Sequence, residues 1–512
     1  MKRVKIFVSV YGWLILAMLF LFLSGGDHPV EIAVWLSPLL LLRFFREVKL
    51  WKALLFAWPC MVGISLLADK GMMPFPMSIA IVLTVINSAI ALIPYLTDRL
   101  LSRSLPLSVK TLLFPFVAVA AEAFLASSFT GGTWGNVAYG IQNLVLLQMV
   151  SVTGLWGMMF LIYWAASVIN EIWEYRRCLW DILRLLTVFM AIFIFIYAYG
   201  FFRLHNEKTG ENTVRVAGVT PGHEHRAEMM EIFGKIFSAS RTGAFDSESI
   251  KASIENKYQE LLSESIKMTE SGVEIVVWSE GATFIFESDE ETYIQRAAHS
   301  AREHEFYLGM SIAVLNDNCL DLLQNNQPFL KNKILFIAPD GHVDWEYTKF
   351  NLAPGYERAI TIPGDGILKS TNTGKGSVTG AICYDLDFPQ YIRQAGVMKS
   401  DLLIAPSNDW LEIKNTHTKM ARLRAIENGI SLLRPASSGI SIAVDPYGNI
   451  VSFVDDFKSS GAPLVAVLQL ESIQTMYTLL GDSWTWVCAF GGLVLIVLGI
   501  VRRWRERHAV PT

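Results

Sequence analysis

Residues 377–389 read Ser377-Val378-Thr379-Gly380-Ala381-Ile382-Cys383-Tyr384-Asp385-Leu386-Asp387-Phe388-Pro389. An apolar run that closes at Cys383 and is followed by a polar stretch and a proline has the pattern of a β-strand passing directly into a helix. Cys383 therefore stands at a strand's carboxyl end, where a nucleophile is well exposed. A free thiol has a pKa of about 8.5, and neighbouring cations or a helix amino terminus raise its thiolate fraction. Taken alone, a cysteine at a strand end is more often a small core residue.

Working outward from this junction, short β-branched runs alternate with amphipathic stretches from Thr213 onward, the texture of sheets covered by helices. Strands are expected at Val214–Val219, Glu274–Trp278, Phe306–Ser311, Ile334–Ala338, Ser377–Cys383, Leu402–Pro406, Ile440–Val444 and Leu464–Leu468. Helices are expected near 246–270, 288–304, 388–397 and 415–429, and Pro339-Asp340-Gly341 and Asp445-Pro446-Tyr447-Gly448 read as hairpin turns. An α/β domain thus occupies residues 203–482. Glu280, in Trp278-Ser279-Glu280-Gly281-Ala282, also emerges at a strand's carboxyl end; it could take a proton from a thiol or cap the next helix. Lys349, in Tyr347-Thr348-Lys349-Phe350-Asn351, sits among aromatic residues that would partly desolvate it. A fixed ammonium there can stabilise an oxyanion, although a lone lysine reads as a surface residue.

The rest of the chain is different. Of 512 residues 52% are hydrophobic and 18% charged, with a mean hydropathy of +0.37, against about 25% charged in an average soluble protein. Residues 1–202 hold 14 basic and 9 acidic side chains, 203–501 hold 25 and 37, and 502–512 hold 4 and 1. The acidic middle argues against nucleic acid as a partner. The five cysteines contain no C-x-x-C, which leaves no disulfide scaffold or cysteine-pair metal motif.

A membrane span needs about 20 mostly apolar residues. Such runs fall near 6–24, 30–45, 50–68, 73–96, 109–127, 143–169 and 179–202, with an eighth at 483–501; the second is short and contains Pro38. This divides the chain into a membrane domain with seven transmembrane helices (1–202), the α/β domain (203–482), and a last helix with a basic cytoplasmic tail (483–512). Basic residues are retained in cytoplasmic loops. Alternate loops and the termini hold 16 of them (Lys2, Arg3 and Lys5; Arg43, Arg46, Lys49 and Lys52; Arg99, Arg103 and Lys110; Arg176 and Arg177; Arg502, Arg503, Arg505 and Arg507), and the opposite short loops hold only Lys70. Both termini are accordingly expected in the cytoplasm and the α/β domain outside it. The first run ends in Ser-Gly-Gly without a small-x-small cleavage site, so a removed signal peptide is not expected. Glu122 falls inside the fifth run and should face the bundle, either in a helix-to-helix hydrogen bond or in handling a lipid or peptide substrate.

The order Glu280, Lys349, Cys383, each in its own context, resembles the nitrilase or carbon–nitrogen hydrolase superfamily. The whole chain resembles its membrane-embedded branch, the apolipoprotein N-acyltransferases. The resemblance implies a Glu-Lys-Cys triad on an αββα sandwich, with a second glutamate matched by Glu357. Leu403-Ile404-Ala405-Pro406-Ser407-Asn408-Asp409-Trp410 is similar to the family's Ser-Asn-Asp segment, and His417 to Arg434 to the helix and strand after it. Gly132-Thr133-Trp134-Gly135-Asn136 and Gln148 to Asn170 resemble the entry to the sixth span, and Glu122 the position of a glutamate upstream of it. Three positions depart from the family pattern. Ser279 stands for the proline of Trp-Pro-Glu, Ala353-Pro354-Gly355-Tyr356-Glu357 for Val-Pro-Phe-Gly-Glu, and Asp385 for a glutamate. The segment Cys383 to Pro389 is closer to the superfamily's soluble amidases.

The resemblance implies that Glu280 is the general base, that Cys383 attacks an acyl carbonyl, and that Lys349 and the Tyr384 backbone N–H hold the oxyanion. The acyl group would pass from a phospholipid, through a thioester, to the amino-terminal amine of a diacylglyceryl-cysteine lipoprotein. Glu357 would support Lys349, and Asn408 and Glu122 are candidate substrate or bundle residues. That chemistry calls for no cofactor or metal. A membrane-tethered amidase, with water resolving the thioester, is the alternative. There is no G-x-S-x-G, P-loop or H-E-x-x-H motif, and His223 and His225 lack further spaced ligands. A disulfide between Cys319 and Cys383 would silence the nucleophile, so the two are expected to be unpaired.

Overall fold

The computed structural model describes residues 2–128, 132–175, 178–206, 212–242 and 246–508. It forms two compact units, Met1–Asn206 with Leu480–Thr512, and Glu207–Leu479. Each apolar run of the first unit is helical: Lys2–Ser24, Glu31–Glu47, Leu50–Ala68, Met77–Ala91 continued by Ile93–Leu101, Leu107–Ser128, Leu155–Glu174, Leu179–His205 and Ser483–His508. Among the described residues, six helices are long and apolar enough to cross a membrane, namely those after the first two. The first contributes the shorter apolar stretch Val10–Ser24. The second has 17 residues, about 25 Å of helix against a hydrocarbon core of about 30 Å, and carries Pro38, Arg43 and Arg46. The fourth run breaks at Leu92, just before Pro94.

The sixth run is not one continuous span. Two one-turn helices, Leu144–Leu147 and Val150–Thr153, precede Leu155–Glu174, because Gly154 takes φ +63° and ψ −173°, through which a helix cannot continue. Irregular backbone at membrane depth is tolerated only inside protein, and Leu146, Leu147, Val150 and Ser151 are buried. Leu155–Glu174 is itself mostly buried. At one end of the unit, Arg46 donates to both oxygens of Asp98 (2.8 and 2.7 Å) and pairs with Glu171 (2.7 Å), which also holds Lys110 (2.8 Å). Two of the cations attributed to loops, Arg46 and Lys110, are therefore buried inside the bundle.

Among the described residues the second unit contains 15 strands: β1 Thr213–Val219, β2 Ile275–Trp278, β3 Phe284–Phe286, β4 Tyr307–Leu315, β5 Leu330–Ile337, β6 Val343–Thr348, β7 Ser370–Asn372, β8 Ser377–Gly380, β9 Leu402–Ile404, β10 Ser407–Asn408, β11 Ser431–Arg434, β12 Ala436–Ser437, β13 Ile440–Val444, β14 Ile450–Asp455 and β15 Leu464–Gln469. One sheet runs β15-β1-β2-β4-β5-β6, with β3 beside β4; the other runs β14-β13-β11-β9-β8-β7, and β10 pairs β12. The strand alternation sorts the core into layers. Val216, Ile275, Val277, Ile334 and Phe336 pack with Val378, Leu402, Ile404 and Ile442 between the sheets. Ala217, Val276, Trp278, Leu308 and Met310 face helices His225–Thr242, Ser247–Glu270 and Glu290–Glu303. Helices Pro389–Val397 and Lys414–Asn428 lie on the second sheet's side, with Ile392, Ala421 and Ala425 in its core. The result is an αββα sandwich. The sheets come so close that a Cβ on Gly380 would lie 2.5 Å from the Trp345 ring.

The two expected hairpins form, β5–β6 around Gly341 (φ +83°) and β13–β14 around Gly448 (φ +85°). The expected strand Ser377–Cys383 stops at Gly380, and Cys383 begins a 3₁₀ turn, Cys383–Asp387. The helix His225–Thr242 was not marked by the sequence pattern.

Candidate active site

Parallel strand order converts distant positions into neighbours. β1, β2 and β4 run parallel, and the two antiparallel steps to β6 restore the same direction, so Glu280 and Lys349 both leave the sheet at one end. In the second sheet β8, β9 and β11 are parallel, which brings Cys383 and Asn408 to the ends of their strands. Backbone hydrogen bonds stitch these ends together: Glu280 N–H to the Ser407 carbonyl (3.4 Å), Cys383 N–H to that of Pro406 (2.9 Å), and Lys349 N–H to that of Asn332 (2.8 Å).

The Lys349 ammonium is buried and held by two carboxylates. It donates to Glu280 Oε1 at 2.7 Å, and to Glu357 Oε1 at 2.7 Å and Oε2 at 3.0 Å. Burial by itself would lower its pKa, but the charges of Glu280 and Glu357 offset this and hold it well above the ordinary lysine value. Glu357 is fixed by the Ala353 N–H (2.7 Å), at the foot of helix Tyr356–Ile360. Glu280 uses its other oxygen to accept from the Asn408 N–H at 2.9 Å. Asn332 was not singled out from sequence, yet its amide donates to Glu280 Oε1 at 2.7 Å and reaches Glu357 Oε1 at 3.4 Å. The signal available for it was a polar residue between two lysines in a strand that is otherwise apolar.

Cys383 has φ +47°, a left-handed conformation that costs a non-glycine residue of order 1–3 kcal/mol and clusters at functional sites. The sulfur is nearly enclosed. Burial and then Glu280 push its thiol well above the usual value, while Lys349 and the Asn408 N–H pull the other way, so the resting group is a neutral thiol. Asp385, where a glutamate was expected, anchors the turn. It accepts from Ile382 N–H (2.9 Å), Tyr347 OH (2.7 Å), Asn351 N–H (2.9 Å) and Asn351 Nδ2 (3.0 Å), tying the cysteine's turn to the loop that follows Lys349. Tyr384 follows Cys383 in that turn, its ring edge-on to Phe388 at 5.3 Å. Glu280, Lys349, Glu357, Cys383, Tyr384 and Asn408 therefore share one end of the sandwich. Glu122 belongs to the helical unit, half-buried on Leu107–Ser128.

A second buried group adjoins the sulfur. Cys383, Asp409 and His417 each bring a side-chain ligand atom within 4.8 Å of the others, the one such trio of metal-ligand types among the described residues. Asp409 is already committed: Arg434 donates to both its oxygens (2.8 and 2.7 Å), and His417 Nδ1 lies 2.7 Å from Oδ1. His417 Nε2 faces Asp387 at 3.2 Å. A guanidinium inside the donor set makes this an ion-pair cluster and a poor cation cage. His223 instead reaches the Asp456 carbonyl (3.2 Å) and packs near Phe457. Cys319 and Cys383 are both free thiols.

The carbon–nitrogen hydrolase family model matches residues 241–477. The apolipoprotein N-acyltransferase of Geobacter metallireducens is 25% identical over 458 residues, covering 85% of this chain and 82% of that protein. That of Borreliella burgdorferi is 23% identical over 419 residues, covering 73% and 71%. Among solved structures, an amidase from Nesterenkonia sp. aligns with a TM-score of 0.40 and 17% identity, over 53% of this chain and 96% of that one. Coverage of 85% is more than the α/β unit accounts for, so the likeness to the acyltransferases includes the apolar helices. Residues 241–477 thus match the carbon–nitrogen hydrolase family, and the chain over most of its length is similar to the apolipoprotein N-acyltransferases.

Proposed function

We propose that the protein is a membrane N-acyltransferase that moves a fatty acyl group from a phospholipid to the amino-terminal amine of a diacylglyceryl-cysteine lipoprotein. The observation that carries the reading is the buried Lys349 ammonium held between Glu280 and Glu357 at the strand ends where Cys383 sits in its strained turn. In the first half-reaction Glu280 takes the thiol proton and the sulfur attacks the ester carbonyl. Lys349 and the Tyr384 N–H stabilise the oxyanion; the lysophospholipid leaves with the proton, and a thioester remains on Cys383. In the second, the acceptor amine attacks the thioester, Glu280 removes its proton, and the thiolate departs as the amide forms. Glu357 keeps the ammonium in place, and Asn408 orients Glu280 through its backbone N–H.

The loop charges support a topology with both termini in the cytoplasm and residues 203–482 on the outer side of the cytoplasmic membrane, between a seven-helix domain (1–202) and the closing helix and tail (483–512). Two lipid substrates can then arrive laterally, and Glu122 is the candidate for handling them within the bilayer. The test is intact-protein mass spectrometry after incubation with phospholipid. A hydroxylamine-labile acyl mass on Cys383, discharged by a lipopeptide amine and absent in Cys383→Ala, is expected. No adduct in folded protein whose Cys383 is alkylated by iodoacetamide overturns the reading in favour of an amidase.

A further inference from the structure

The buried cluster behind the sulfur has no part in the reaction described above, yet it joins the two loops that carry its reacting groups. His417, Arg434, Asp387 and Asp409 are each at most 2% exposed, two potential cations against two anions shielded from bulk solvent. Asp387 closes the turn that begins at Cys383, and Asp409 follows Asn408, whose N–H serves both Glu280 and the sulfur. His417 lies between them on helix Lys414–Asn428, with Nδ1 on Asp409 and Nε2 on Asp387. Arg434 is fixed in turn by donating to the Ile440 carbonyl at 3.1 Å.

We propose that His417 is a positioning residue for acyl transfer: a buried imidazolium that clamps the nucleophile's turn to the Asn408 strand and balances the two carboxylates that flank it. The inference rests on the reading of Cys383 as nucleophile. His417 Nδ1 lies 2.7 Å from Asp409 Oδ1 and 2.9 Å from the Arg434 guanidinium, and Nε2 lies 3.2 Å from Asp387 Oδ1; two carboxylates on either side of an imidazole favour its cationic form. Asp409 and Asp387 hold that form to a pKa of about 9, against the opposing effects of burial, the largest single influence, and of Arg434. The groups facing the sulfur are Glu280, Lys349, Asp409 and His417, and those facing His417 are Asp409, Asp387 and Arg434. Removing the imidazolium leaves the sulfur beside an unbalanced anion, which disfavours the thiolate; removing the Asp387 charge does the reverse.

The test uses the full-length protein in detergent, without lipid, and follows alkylation of Cys383 by iodoacetamide from about pH 6 to about pH 10, with mass spectrometry of the peptide that contains it. His417→Gln is expected to move the alkylation profile up by about one pH unit, a ~10-fold slower reaction below the midpoint. The acyl-transfer kcat should fall by at least as much, with KM for phospholipid unchanged. Asp387→Asn should move the profile to lower pH while kcat still falls, because the clamp is cut. Profiles superimposable on the wild type in the folded variants overturn the proposal, and loss of folding in both variants assigns the cluster to folding and overturns it too. If the wild type forms no acyl adduct but the alkylation profiles shift as stated, the acyltransferase reading fails and the clamp stands.

Discussion

Replacing Lys349 by methionine removes the ammonium while keeping most of the side chain's length and apolar stem. Glu280 Oε1 and Glu357 Oε1, each 2.7 Å from Nζ, are left facing one another, the first buried and the second half-buried. Oxygens so placed lie within about 5 Å, and two unit charges at that separation repel by ~3 kcal/mol at an effective dielectric of ~20. Loss of their shared cation adds to this, in the range of ~3–5 kcal/mol found when one partner of a buried pair is removed. Lys349→Met should therefore lower Tm markedly against wild type in the same detergent. Acyl-adduct formation on Cys383 should drop by ~10³-fold, since the oxyanion donor is gone and the base is perturbed. A Tm equal to that of the wild type would refute the account of Lys349 as the cation that holds two facing carboxylates together.

Three other perturbations read different parts of the molecule. Because the His417 pKa is raised to about 9 in the folded state, its contribution is fully present below about pH 6.5 and is lost as pH rises through about 9. The wild type should lose ~3 kcal/mol over that window relative to His417→Asn, seen as a steeper fall of Tm. Tyr347→Phe removes the hydroxyl that donates to Asp385 at 2.7 Å, and should cost ~1–3 kcal/mol and slow adduct formation by loosening the Cys383 turn. An unchanged Tm and rate would show that the other three donors to Asp385 suffice. In the helical unit, Arg46→Ala strands Asp98 and Glu171 beside Lys110 and should lower stability by ~3–5 kcal/mol in detergent unfolding. The conservative Arg46→Lys should recover only part of it, because one ammonium cannot make the bidentate contact with Asp98.

Much of the architecture is legible in the sequence because its signals are local. Apolar length alone marks the helices of the first unit, and β-branched runs with their turn glycines mark most strands of the second. Where those readings missed, a local pattern was overruled. The run 143–169 is apolar throughout, but Gly154 breaks it; Ser377–Cys383 reads as one strand, but the chain leaves the sheet after Gly380 to set Cys383 at φ +47°. The helix His225–Thr242, which the sequence pattern did not mark, packs Ile232, Phe233 and Ile236 on the first sheet.

The order of residues along the chain says which groups are available and where each stands on its own strand: a thiol, a carboxylate and an ammonium, each just past an apolar run, on a chain too apolar to be wholly soluble. That they meet is a property of the folded sheets. Glu280 and Lys349 are 69 positions apart, Glu280 and Asn332 are 52, and Glu280 and Asn408 are 128, and no spacing rule reaches across such distances. Parallel strand order turns these separations into hydrogen bonds. Packing also decided protonation and charge balance, for Lys349 between two carboxylates and for His417 between two more, because burial strengthens each electrostatic contact and removes the water that would otherwise screen it.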